Sequence, residues 1–131
     1  MPVAIDTSIL VAAEKAADFE SLIPESEKGP FYIPALAAVE FLVGTHPPVR
    51  ADLRRRALQL YESRFRPLVS VLTEADAAQF AALIADLRAN GQTMKFFDAG
   101  IAATALARGD KLLTVDSDFE RLSGRIELLK P

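Results

Sequence analysis

The chain has no cysteine, and its 131 residues include a single histidine, His46. Without thiols there are no disulfides, thiolate zinc sites, iron–sulfur clusters or cysteine nucleophiles. The one imidazole sits in the loop-like run Thr45-His46-Pro47-Pro48. It excludes multi-histidine metal centres, and a Ser-His-Asp triad would have to pass through a turn between a helix and two prolines. Also missing is any uncharged stretch near the roughly 18 apolar residues that a membrane span needs. The N-terminal apolar run has no basic start and is broken by Asp6, so it does not read as a targeting segment. A cytoplasmic protein with no membrane attachment is expected, and the lack of cysteine fits a reducing compartment. What such a chain has left for chemistry is carboxylates.

Half of the residues are apolar and a quarter are charged, with a mean hydropathy of +0.18. That excludes intrinsic disorder, and the length fits one domain over residues 1–131 with one core and some apolar surface left for a partner. The formal net charge is −3, unevenly distributed. Residues 1–49 carry −5 and residues 67–131 carry −2, whereas 50–66 carry +4 from Arg50, Arg54, Arg55, Arg56, Arg64 and Arg66 against Asp52 and Glu62. Only that middle stretch offers a basic footprint for a polyanion; a solvated helix face is its ordinary reading.

Short apolar runs alternate with helical ones. Residues 1–6 read as a buried strand ending at Asp6, Ile9 to Ala17 as a helix and Asp18–Glu27 as a second helical stretch. After Lys28-Gly29-Pro30 come a strand at 31–33 and a helix from Ala35 to Val43, with Pro34 suited to its first turn. Beyond the His46-Pro47-Pro48 turn, 49–63 reads as a polar, arginine-rich helix and 67–72 as a third strand. Thr73 is a good N-cap for an amphipathic helix over 74–89, and a further helix runs from Asp98 to Arg108. Strands at 111–115 and 125–129 flank a short helical turn at 118–122. The alternation predicts an α/β sandwich with a mainly parallel sheet of about five strands, in which ligands bind beyond the carboxyl ends of the strands.

Four acids stand where an acid is locally awkward. Asp6 and Asp116 each end an apolar strand, Glu40 interrupts a helix that is otherwise wholly apolar, and Asp98 opens a helix rich in small residues. Capping and salt bridging are the ordinary readings of each. Taken together they converge at one sheet edge if the sheet is parallel. Clustered carboxylates raise one another's pKa unless a counter-charge is present, and oxygen-only donors suit Mg²⁺ or Mn²⁺. Such a site can activate water for phosphodiester hydrolysis, with one ion or two.

In order and spacing, Val3-Ala4-Ile5-Asp6-Thr7-Ser8, Glu40, Asp98-Ala99-Gly100-Ile101-Ala102-Ala103 and Leu113-Thr114-Val115-Asp116-Ser117-Asp118-Phe119 resemble the successive motifs of PIN-domain ribonucleases, and the chain's size resembles that of the VapC toxins of toxin–antitoxin systems. The resemblance implies a three-layer α/β/α fold and a Mg²⁺- or Mn²⁺-dependent endoribonuclease acting as the toxin of a type II pair. It implies that Asp6, Glu40, Asp98 and Asp116 form the catalytic and metal-binding tetrad. Thr7, Ser8 and Thr114 match hydroxyl residues that support the first and last acids through hydrogen bonds to carboxylate or metal-bound water. Asp118 competes with Asp116 for the fourth position and is taken as auxiliary or helix-capping. RNA is the implied substrate, with Arg54, Arg55, Arg56 and Lys95 as candidate backbone contacts. An antitoxin protein and a second copy of the chain are the implied partners. Two alternatives stay open. One is a catalytically inactive PIN-like module that binds RNA or protein. The other is an aspartyl-phosphate phosphatase or receiver, although Thr7-Ser8 stands where those phosphatases want a second aspartate.

Overall fold

Val3, Ala4 and Ile5 are all fully buried, so this segment has no polar alternation and must be covered on both faces, as in a parallel sheet. It forms β1 (Val3–Ile5) at the centre of the fold. The computed structural model describes residues 2–46 and 49–131. The start of the first strand at Met1 and the Pro47-Pro48 turn expected from the sequence lie outside these residues. The other strands are β2 (Phe31–Pro34), β3 (Val69–Ser70), β4 (Lys111–Leu113) and β5 (Leu128–Leu129). They form one sheet in the order β3-β2-β1-β4-β5, with every pairing parallel. Among the described residues five α-helices surround it in the expected three-layer α/β/α arrangement: α1 (Thr7–Ala16), α2 (Ala35–Val43), α3 (Ala51–Leu60), α4 (Glu74–Ala89) and α5 (Phe96–Arg108).

The strand order matters for function. The chain winds from β1 outward to β3 and then returns to place β4 on the other flank of β1. The winding direction therefore reverses between β1 and β4, and the residues just beyond these two strands flank a natural crevice. Register fixes their relation: Ile5 pairs with Leu113, and the Asp6 N–H donates to the Leu113 carbonyl at 3.0 Å.

Glycine at position 100 lets two site-bearing helices approach. A Cβ there would collide with Leu36 Cδ1 of α2 and press on Phe80 of α4. The fully buried small residues Ala99, Gly100, Ala102 and Ala103 bring α5 against the core, as the small-residue run suggested.

Several boundaries differ from expectation. The stretch 18–27 holds only a 3₁₀ turn at Glu20–Leu22: Ala17, at φ 53°, ends α1, the Asp18 carboxylate accepts the Ser21 N–H, and Pro24 lacks an N–H to continue a helix. Pro34 ends β2 and caps α2 rather than lying in its first turn. The arginine-rich helix gives way at its end to a π-helical turn, Tyr61–Phe65. The third strand shrinks to two residues because Arg66–Leu68, with Pro67, is a 3₁₀ turn. The last strand is short because the N–H groups of Arg125 and Ile126 bond back to the Leu122 carbonyl.

Candidate active site

A cleft of about 700 Å³ opens at the β1/β4 end of the sheet, and its lining includes Asp6, Glu40, Asp98 and Asp116. Four separate elements deliver these carboxylates. Asp6 follows β1 and caps α1, Glu40 projects from α2, Asp98 is the third residue of α5, and Asp116 follows β4. Helix α5 begins two residues earlier than the sequence suggested, with Lys95 as its cap, so Asp98 lies inside the first turn, where the helix dipole favours a negative charge.

Asp6 is 2% exposed and Asp98 is 5% exposed. One oxygen of Asp6 is heavily engaged: Oδ2 accepts from Ser8 Oγ at 2.7 Å and from Thr114 Oγ1 at 2.8 Å. Ser8 Oγ also accepts the Val115 N–H at 3.1 Å, and Thr114 Oγ1 accepts the Asp116 N–H at 2.9 Å. These bonds tie the segment after β4 to the start of α1. The remaining oxygen, Asp6 Oδ1, is buried without a partner among the described residues, and so is Asp98 Oδ2.

Burial raises the Asp6 pKa, against the hydrogen bonds from Ser8 and Thr114 that favour its ionised form. Asp98 is pushed up to about 6, first by burial and then by the negative charges of Asp6, Glu40 and Asp116; Lys95 pulls it the other way. Two buried carboxylates with free oxygens and elevated pKa values describe a pocket short of positive charge. Hard oxygen donors of this kind fit a divalent cation such as Mg²⁺ or Mn²⁺.

The structure sorts the remaining sequence candidates. Ser8 and Thr114 both donate to Asp6. Thr7 lines the cleft, and its hydroxyl bonds neither acid directly among the described residues. Asp118 is not the helix cap. Asp116 is, its Oδ1 accepting the Asp118 N–H at 2.9 Å at the start of a 3₁₀ turn, Ser117–Leu122. Carboxylate oxygens of Asp98, Asp116 and Asp118 lie within 4.8 Å of one another, so both acids of the pair stand close to Asp98. Lys95 lines the cleft, whereas Arg54, Arg55 and Arg56 do not; α3 turns Leu53 and Ala57 to it instead. Sequence reading did not find the apolar wall made by Val11, Phe41, Val49 and Leu53. Apolar spacing alone does not separate a cleft wall from a core face. No described helix is long and apolar enough to cross a membrane.

Comparisons with known proteins agree with this geometry. The PIN domain family matches residues 3–125. Ribonuclease VapC1 of Rickettsia felis is 32% identical over 127 residues, covering 95% of this chain and 92% of that protein. Ribonuclease VapC5 of Mycobacterium tuberculosis is 30% identical over 122 residues, covering 92% and 87%. Among solved structures, a VapBC-5 toxin–antitoxin structure from Mycobacterium tuberculosis superposes with a TM-score of 0.77 at 25% identity, over the whole of both chains. With the fold, the acid-lined cleft and these relatives in agreement, the chain belongs to the PIN-domain family and is of the VapC type.

Proposed function

We propose that this protein is a divalent-cation-dependent endoribonuclease, hydrolysing RNA phosphodiester bonds as the toxin of a toxin–antitoxin pair. The observation that carries the reading is the pair of buried, unpartnered carboxylate oxygens, Asp6 Oδ1 and Asp98 Oδ2, in a cleft that Glu40 and Asp116 also line. Asp6, Asp98 and Asp116 would hold Mg²⁺ or Mn²⁺, with Glu40 directly or through water and Asp118 beside them. The bound cation supplies Lewis-acid stabilisation of charge at phosphorus and makes a water more acidic.

The chain's own residues set the conditions for this chemistry. Ser8 and Thr114 hold Asp6 Oδ2 so that Oδ1 stays directed away from them and available. Asp98, near pKa 6 without a cation, becomes fully ionised once positive charge is bound beside it. Lys95 is a lysine at the cleft for an RNA phosphate. No histidine lines the cleft among the described residues, so a side-chain imidazole base has no part in the reading.

An antitoxin protein is the proposed inhibitor, supported by the similarity to the VapBC-5 toxin–antitoxin structure. A second copy of the chain and a cytoplasmic location belong to the same reading. The test is cleavage of RNA with Mg²⁺, Mn²⁺ or EDTA by the wild type and by Asp6→Asn and Asp98→Asn. Cation-dependent cleavage that falls at least about 100-fold in both variants, with melting transitions preserved, is expected, because each variant removes a charge that the bound cation meets directly. Growth arrest on expression of the chain alone, relieved by Asp6→Asn, is the expected cellular counterpart. Full activity in either variant would overturn the assignment, and so would cation binding with no cleavage.

A further inference from the structure

Asp98 and the Asp116–Asp118 pair come from different parts of the chain, yet their carboxylate oxygens lie within 4.8 Å of one another. Like charges at that separation repel, so the backbone segments that carry them need a tie. Asp98 stands in the first turn of α5, and the irregular residues 92–95 lead into that helix. Asp116 and Asp118 open the 3₁₀ turn Ser117–Leu122, which Phe119 and Leu122 anchor in the core.

Arg121 joins the two segments. From inside the 3₁₀ turn its Nε donates to the Asp118 carbonyl at 3.2 Å, and its Nη1 donates to the Thr93 carbonyl at 2.5 Å. The Asp118 bond is a local cap of the kind basic side chains make near the end of a helical turn. The Thr93 bond is not local, since it spans 28 residues of sequence. Both end on main-chain oxygens rather than on the acids. A guanidinium presents its donors in a rigid planar fork, so the two carbonyls cannot shift relative to each other without losing a bond. Arg125 is the contrasting case. Its Nη1 meets the Asp86 carboxylate of α4 at 2.9 Å as an exposed ion pair, and it holds neither acid-bearing segment.

We propose that Arg121 is a positioning residue for cation binding: it fixes the separation of Asp98 from Asp116 and Asp118 at the span that one divalent ion bridges. The inference rests on the reading of the cleft as a divalent-cation site and adds to it a residue outside the cleft lining. Arg121 acts only through the backbone segments that bear the acids. Charge alone predicts the opposite sign. A positive group near the acids opposes a cation, so its removal would tighten binding, whereas loss of a tie between the ligands weakens it.

The test compares the full-length wild type with Arg121→Ala, Arg121→Lys and Arg125→Ala. Mn²⁺ affinity is measured by calorimetry without RNA, and melting temperature in EDTA and at one fixed Mn²⁺ concentration. Arg121→Ala is expected to lose about tenfold in Mn²⁺ affinity. Arg121→Lys keeps the charge without the fork and is expected to lose nearly as much. Arg125→Ala removes a charge of the same sign and keeps the wild-type affinity. In EDTA the Arg121 variants melt close to the wild type, because exposed contacts of charged side chains contribute little. The stabilisation they gain from Mn²⁺ is smaller than the wild type's. An Arg121→Ala affinity equal to or above the wild type's would overturn the proposal. Full recovery in Arg121→Lys would do the same, and so would an equal loss in Arg125→Ala. A melting temperature lowered equally in EDTA and in Mn²⁺ would make Arg121 a brace for the fold alone and overturn it as well. Failure of the underlying reading shows elsewhere: the wild type itself then binds no Mn²⁺, and the proposal falls with it.

Discussion

Asp98 concentrates the electrostatics of the cleft in one carboxyl group. An aspartate in an unfolded chain titrates near 3.9, whereas in the fold Asp98 sits at about 6, with burial the largest cause. The native state therefore holds this proton more tightly than the unfolded chain does. In the cation-free protein the group imposes no penalty below pH 4; stability declines as pH rises from about 4 to 6 and stays low above that. Asp6 is raised in the same direction. In EDTA, the melting temperature should fall between pH 4 and 6 in the wild type and fall less in Asp98→Asn, while saturating Mg²⁺ should remove the deficit above pH 6. An identical decline in the Asn variant would assign the titration to another group. At this scale the sequence was informative because an acid after an apolar strand, or inside an apolar helix, is costly unless something meets it; Asp6, Glu40 and Asp116 had that signature, and Asp98 stood out by the small residues that follow it.

The far end of α5, about three turns from Asp98, is tied to the start of α4. Thr73 and Asp76 form a reciprocal cap at the start of α4, with the Thr73 N–H donating to Asp76 at 2.9 Å and the Asp76 N–H donating to Thr73 Oγ1 at 3.1 Å. The same Asp76 carboxylate receives Arg108 from the last turn of α5 at 2.7 Å. Arg108 also reaches Ser70 Oγ of β3 and lies over the Tyr32 ring of β2. Burial pushes the Asp76 pKa up, but the hydrogen bonds from Arg108 and Thr73 outweigh it and leave the group below its usual value. The sign is opposite to that of Asp98: this contribution is complete above about pH 4 and is lost as pH falls further. Asp76 is 1% exposed, so Asp76→Ala leaves Arg108 without its buried partner and removes a helix cap. A loss of about 3 kcal/mol by urea unfolding is expected. Asp52→Ala, which breaks the exposed Arg50–Asp52 pair, should cost under about 1 kcal/mol. Comparable losses in the two variants would show that the buried network is no stronger than a surface pair. The cap at Thr73 was readable from a threonine before an amphipathic run, whereas α2 and α5 were legible from apolar and small-residue runs closed by Gly44 and Gly109. Regions where a local turn competes with the regular element were not: the Leu122 carbonyl takes the N–H groups, three and four residues on, that would have lengthened β5, and Asp18 accepts the Ser21 N–H in a stretch whose composition reads as helical.

The net charge of −3 describes the whole molecule poorly, because its acids and arginines occupy different places. Four acids converge at one end of the sheet, while the arginines of α3 stand apart from the cleft; Arg55 faces a separate surface groove with Leu58, Gln59, Glu62 and Ser63. The sequence supplied the arginine run but not the direction it faces, since helical spacing leaves the azimuth of a helix to its packing. Two lysines line the cleft, Lys15 and Lys95, and Lys95 is the one whose charge acts on Asp98, so for RNA held at the acids Lys95 is tested first. Each phosphate neutralised on a single strand contributes about 0.7 to the slope of log affinity against log salt. With a substrate of about four nucleotides, Lys95→Ala should lower that slope by about 0.7, and an Arg54/Arg55/Arg56 triple alanine variant should leave it unchanged. With a longer RNA, which extends beyond the cleft, the triple variant should lose slope as well. Measurements of KM across a salt series with both substrates check this, and a triple variant that loses slope on the short substrate would place the arginines at the scissile phosphate after all.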